Sequence, residues 1–145
     1  ETWEPLELAP YRELMSRGLA DAIMTAHIFN RRLDPEFPAT LSKRTITGLL
    51  REEMRFAGAV ISDDMDMKAI SAEYDRKTAV QLALNAGIDI MLMANNRTYD
   101  PDIAVRTQET ILELVAAGRI SAARIDQASQ RVMILKRSVS PIGTN

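Results

Sequence analysis

Gly58-Ala59-Val60-Ile61-Ser62-Asp63-Asp64-Met65-Asp66-Met67-Lys68-Ala69 is the stretch that decides the fold. Ala59 to Ser62 run without helical period and stop at two carboxylates. A short apolar run of this kind reads as a strand covered on both faces, as in a parallel sheet. Its C-terminal end then delivers Asp63 and Asp64 to the place where parallel α/β folds gather reactive groups.

The flanking sequence repeats the alternation. On the N-terminal side, Ile46, Leu49, Leu50 and Met54 form one apolar stripe, so a helix is expected over 43–56 with Ser42 as its N-cap. Pro35 and Pro38 mark 31–41 as loop. Ala22 to Ile28 reads as an earlier buried strand, ending near His27. A helix is expected over 10–17, with Gly18 as the glycine beyond its C-terminus.

On the C-terminal side, 76–85 predicts a helix of small residues closed by Ala86-Gly87, and Ile88 to Met93 a third strand. Asp100 and Pro101 read as the cap and first position of a further helix, ended by Gly118. Ser121 caps a last helix, where Arg131, Lys136 and Arg137 suit the C-terminal dipole. Strands alternating with helices imply a parallel α/β sheet of three strands. The whole of 1–145 reads as a single domain.

Composition narrows the function. Apolar residues make up 46% and charged residues 26% of the 145, with a net charge of -2. That balance gives no electrostatic pull toward nucleic acid or an anionic membrane. No apolar run approaches the roughly 18–20 residues of a spanning helix. The chain has no cysteine, which excludes disulfides and thiol nucleophiles, and a single histidine without HExxH spacing argues against a metal site. No GxSxG nucleophile elbow occurs.

The candidate chemistry therefore rests on few side chains. A carboxylate at position 63 or 64 can attack a carbon centre, bind a cation or sugar hydroxyl, or cap the following helix. His27 also ends a strand, and an imidazole suits acid–base work, although a lone histidine is more often a satisfied structural residue. Asn95-Asn96 reads as a turn more readily than as a ligand site. The eight methionines read as core filling. An acidic strand end would also suit a small regulatory domain that binds a cation.

Read together, Ala22-Ile-Met-Thr-Ala-His27, Pro38-Ala-Thr-Leu-Ser42, the Leu49-Leu50-Arg51 helix, Gly58 to Ala69, Ala86 to Leu92 and Gly118-Arg119-Ile120-Ser121 occur in an order that resembles glycoside hydrolase family 3. The similarity is to the second half of its catalytic barrel, in the β-N-acetylhexosaminidase branch. Gly58 to Ala69 is the specific part.

The resemblance implies a partial TIM-like barrel, its three strands roughly the sixth, seventh and eighth. It implies a retaining hydrolase of β-linked N-acetylglucosamine in muropeptides or chitooligosaccharides, or another family 3 specificity such as β-glucosidase; the alternative is a non-catalytic half-barrel that associates through its exposed sheet edges. Asp63 maps to the nucleophile. Asp64 becomes a substrate-side neighbour that positions Asp63 or caps the chain, and His27 lines the sugar subsite. No metal or organic cofactor is required.

The resemblance also implies an Asp–His acid/base pair in a loop after the fifth strand, which this sequence lacks. The expected partners are thus a carbohydrate and either the missing N-terminal half of the barrel or a second copy. Alone, the chain is expected to have little or no hydrolase activity. The compartment stays open: cytoplasmic for a cell-wall recycling enzyme, or exported.

Overall fold

The computed structural model describes residues 3–96 and 98–138. A 3₁₀ turn at Pro5–Leu8 leads into α1 (Ala9–Ser16), β1 (Ala22–Met24), a 3₁₀ turn at Ala39–Leu41, a π-helix (Arg44–Glu53) and β2 (Ala59–Ile61). Then follow α2 (Lys68–Ser71), α3 (Arg76–Ala86), α4 (Ile103–Ala116) and α5 (Ala122–Ser138). The fold is α/β with a small parallel sheet. β1 and β2 pair in parallel, Ile23 opposite Val60.

The expected third strand is reduced to a single parallel bridge between Ile61 and Ile90. The reason lies in the hydrogen-bond partners. The Ser62 N–H donates to the Ile90 carbonyl at 2.9 Å and the Met65 N–H to the Leu92 carbonyl at 3.0 Å. One return bond is main-chain, from the Ile90 N–H to the Val60 carbonyl at 3.0 Å, but beyond it the return bonds go to side chains. The Leu92 N–H donates to Ser62 Oγ at 2.9 Å and the Ala94 N–H to Asp64 Oδ1 at 2.9 Å. Residues 88–94 thus run alongside β2 as expected, but beyond Ile90 hydroxyl and carboxylate oxygens replace main-chain acceptors.

The first strand is also shorter than expected, and it is not covered on both faces. Met24 is 58% exposed and Ile28 66% exposed along its outer side. The helix expected over 43–56 is wound as a π-helix: the Met54 N–H reaches back five residues to the Leu49 carbonyl at 2.9 Å. Ile46, Leu50 and Met54 recur every four residues, a step that stays on one face under either winding. The pattern therefore marks the buried face without fixing the pitch. Ser42 caps the first turn as expected, its Oγ accepting the Thr45 N–H at 2.9 Å.

The other helix ends largely follow the sequence. Gly18 takes a positive φ of 66°, and the Leu19 N–H closes onto the Leu14 carbonyl. Asp75 caps α3 through the Thr78 N–H, and Gly87 ends it at φ 122°. Ser121 Oγ accepts the Arg124 N–H ahead of α5. At α4 the expected boundary shifts: Pro101 and Asp102 form a turn, and Asp100 accepts the Asp102 N–H before the helix begins at Ile103.

α3 sits between two apolar clusters. Ala79 and Ala83 pack with Ile46, Val60 and Ile88, whereas Val80 and Leu84 pack with Leu114 and Ile120. Small residues on α3 let it approach the sheet closely, which holds the strand ends in place.

The N-terminal end of the sheet is locked by charge. The Asp89 side chain is fully shielded and meets Arg51 at 2.6 Å, Arg124 at 2.9 Å and Arg131 at 3.2 Å. Asp89 Oδ2 also accepts the Val60 N–H at 3.0 Å. Arg131 therefore belongs to this cluster rather than to the dipole of α5. It follows Arg124 by about two helical turns and so shares its face. Among the described residues no helix is long and apolar enough to cross a membrane.

Candidate active site

The opposite, C-terminal end of β2 carries the acidic segment. Ser62 is buried and anchored on both sides by residues 90–92. The chain then turns, and Asp64 becomes its fixed point. Asp64 is 8% exposed, and its Oδ1 accepts the N–H groups of Asp66 at 3.1 Å and Ala94 at 2.9 Å. A carboxylate held by main-chain donors behaves as a loop staple. That geometry turns it onto the protein itself.

Asp63 differs. It is partly buried, and its Oδ1 accepts the N–H of Asp64 at 2.8 Å. Its Oδ2 carries no hydrogen bond among the described residues. One oxygen is thus oriented by the backbone while the other remains available for chemistry, as a nucleophilic carboxylate requires. Asp66 stands one turn further on, 3.5 Å from Arg76. Asp66 and Arg76, with Tyr74 and Met93, line a cleft of about 230 Å³.

His27 is drawn to the same strand end. Its Nε2 lies 2.8 Å from the main-chain carbonyl of Asp64 and its Nδ1 lies 2.9 Å from Thr40 Oγ1. A carbonyl can only accept, so Nε2 carries the proton. Thr40 is fully buried and in turn meets Thr25 Oγ1 at 2.9 Å. The Thr25 N–H continues the β1–β2 pairing by donating to the Ile61 carbonyl at 2.8 Å. Both ring nitrogens of His27 are therefore engaged within the protein.

The structure brings His27, Asp63 and Asp64 together at one end of the sheet, as the sequence reading expected. Thr25 and Thr40 were not singled out, although both fall in stretches that carried the family resemblance. Thr25 stands two residues before His27 in the extended segment that leaves β1, and that spacing was the available signal. Asn95 has a φ of 53° and clasps Asp100 through both its side-chain oxygen and nitrogen, the turn role expected for it. Among the described residues no group of three or more His, Cys, Asp or Glu side chains is placed to hold a metal.

Against known proteins, residues 1–135 match the glycosyl hydrolase family 3 N terminal domain. A β-hexosaminidase of Tolumonas auensis is 39% identical over 99 residues, covering 66% of this chain and 29% of that protein. A β-hexosaminidase of Haemophilus influenzae is 36% identical over 91 residues, covering 63% of this chain and 26% of the other. Among solved structures, CbsA from Thermotoga neapolitana superposes with a TM-score of 0.81 at 35% identity, over 90% of this chain and 29% of that one. A family 3 β-N-acetylglucosaminidase from Paenibacillus sp. gives 0.81 at 39% identity, over 90% of this chain and 24% of that one. The chain thus spans less than a third of the length of these relatives.

Proposed function

The chain belongs to glycosyl hydrolase family 3, and from that premise we propose that it is the nucleophile-bearing half of a retaining β-N-acetylhexosaminidase barrel. The observation that carries this reading is the presentation of Asp63. Its carboxylate stands at the C-terminal end of β2, with Oδ1 oriented by the Asp64 N–H and Oδ2 without a hydrogen bond among the described residues.

Asp63 attacks the anomeric carbon of a β-linked N-acetylglucosamine as the glycosidic bond breaks. The leaving oxygen takes its proton from a general acid outside this chain, since both nitrogens of His27 are already engaged. Water then resolves the glycosyl–Asp63 ester and releases the sugar with retained configuration. The names of the relatives support N-acetylglucosamine as the sugar; muropeptides or chitooligosaccharides are the proposed sources of it.

β1, β2 and residues 88–94 lie side by side in chain order, which supports three consecutive strands of a TIM-like barrel, with 1–145 as one structural unit. The exposed Met24, Ile28 and Phe29 at the β1 end support a partner on that edge. That partner is the remainder of the barrel. A second copy is the other reading, because an apolar edge also suits self-association.

Steady-state assay of the purified chain with an aryl N-acetyl-β-glucosaminide tests the division of labour. No turnover by the chain alone, and turnover after adding the complementary half, is the expected result. Robust turnover by the chain alone would overturn it.

A further inference from the structure

We infer that His27 is a positioning residue for Asp63, acting through the two peptides of Asp64, and that Thr40 and Thr25 set its orientation. This rests on Asp63 as the nucleophile and adds a role for residues that do not touch the reacting atoms.

The geometry runs in one direction. Asp64 is held at its carbonyl by His27 Nε2, at 2.8 Å, together with the Met67 N–H, at 3.0 Å, and at its carboxylate by the N–H groups of Asp66 and Ala94. With those groups fixed, its remaining main-chain donor points at Asp63 Oδ1, 2.8 Å away. The orientation of the Asp63 carboxylate is therefore inherited from the pose of Asp64.

His27 can hold that pose only if its ring is itself held. Nε2 must carry a proton to meet a carbonyl, so in the neutral ring Nδ1 must accept. The Thr40 hydroxyl, 2.9 Å away, is the donor that fixes this tautomer. The Thr25 hydroxyl lies within reach of both Thr40 Oγ1, at 2.9 Å, and the Ile61 carbonyl, at 3.4 Å. With the Thr40 proton spent on His27, the single Thr25 hydroxyl proton goes to Thr40 Oγ1, and the Thr25 main chain ties the relay to β2 through its N–H to the Ile61 carbonyl at 2.8 Å. A ring with both nitrogens spent inside the protein is poorly placed to bind sugar as well.

The test uses the isotope-labelled chain, in which the single histidine makes the imidazole resonances unambiguous. The expected spectrum shows a neutral ring protonated at Nε2, with Nδ1 accepting. Thr40→Val shifts the Asp63 carboxyl carbon and the Asp64 amide, and Thr40→Ser restores both. His27→Gln gives the same displacement by a second route, which serves if Thr40→Val folds poorly. A ring that averages freely between tautomers, or an Asp63 carboxyl unmoved by both variants, overturns the inference.

Trapping with a 2-acetamido-2-deoxy-5-fluoro glycosyl fluoride separates this role from sugar contact. Positioning lowers the first-order trapping rate of His27→Gln about 10- to 100-fold at unchanged sugar affinity. A loss of affinity at unchanged rate makes His27 a substrate contact and overturns the inference, leaving Asp63 as nucleophile untouched. If the parent chain takes no label, the carboxyl shift decides, since that measurement needs no sugar.

Discussion

Asp89 and Arg51 form an ion pair of 2.6 Å at the N-terminal end of β2, with the aspartate side chain wholly shielded and the arginine only 11% exposed. Arg124 and Arg131 complete the cluster, and the Val60 N–H ties it to the strand. Burial pulls the Arg51 guanidinium below its ordinary range, while the Asp89 charge works in the opposite direction. Removing one partner of such a pair leaves a buried charge without compensation, at a cost of about 3–5 kcal/mol. Asp89→Asn is therefore expected to lower the urea midpoint strongly. Replacing an exposed pair such as Lys77–Glu113 is expected to move it by less than about 1 kcal/mol.

Gly58 precedes β2 where the backbone passes close to Asp21. A Cβ built there would stand 2.4 Å from the Asp21 carbonyl oxygen and 2.6 Å from the Phe56 ring. Gly58→Ala must displace backbone at the start of the strand, and overpacking of this kind costs about 1–3 kcal/mol. Gly48→Ala, which meets nothing within 4 Å, is the control and should leave stability unchanged or slightly improved. Thermal melts of the two variants check the contrast.

Asp34 shows how a loop read as irregular is anchored. Burial alone would push its carboxyl up, but bonds from the Ser42 hydroxyl and the Glu36 and Phe37 N–H groups, with the Arg44 charge, hold it below the usual carboxylate range. A depressed folded-state value means stability that is fully present above the ordinary aspartate range. It is lost as pH falls through the lowered folded value. Asp34→Asn should therefore destabilise at neutral pH and flatten the acid limb of the stability curve. Urea unfolding at a series of acid pH values reads this directly.

The outer side of β1 gives a prediction about association. Met24 is 58% exposed there, so a charge at that position disturbs little of the core. Met24→Lys is expected to leave the fold's stability within about 0.5 kcal/mol. It should also weaken any concentration-dependent self-association and any pairing with the complementary half. Sedimentation velocity across a concentration series measures both.

How much of this was legible in the sequence follows from where each interaction lies. The Gly58 to Ala69 stretch carries its meaning locally: an apolar run, then carboxylates at the strand end, and the structure places Asp63 and Asp64 there. Helix ends marked by Gly18, Ser42 and Gly87 were readable for the same reason. The third strand misled because Ser62 and Asp64 accept bonds that strand pairing assigns to carbonyls. The Asp89 cluster joins Arg51, Arg124 and Arg131 across long sequence distances, and no local pattern announces it. The engagement of the two His27 nitrogens likewise depends on Thr40 and on the Asp64 carbonyl, both distant in sequence, not on its neighbours in the segment after β1.

Asp63 as nucleophile forms a covalent bond to the sugar, and trapping that bond is the decisive experiment. The chain, alone and together with the complementary barrel half, is incubated with the 5-fluoro sugar and weighed intact, beside Asp63→Ala. One glycosyl adduct is expected in the assembly, mapped to Asp63 by peptide sequencing and absent from the variant. An adduct that persists in Asp63→Ala, or maps to another residue, would contradict it.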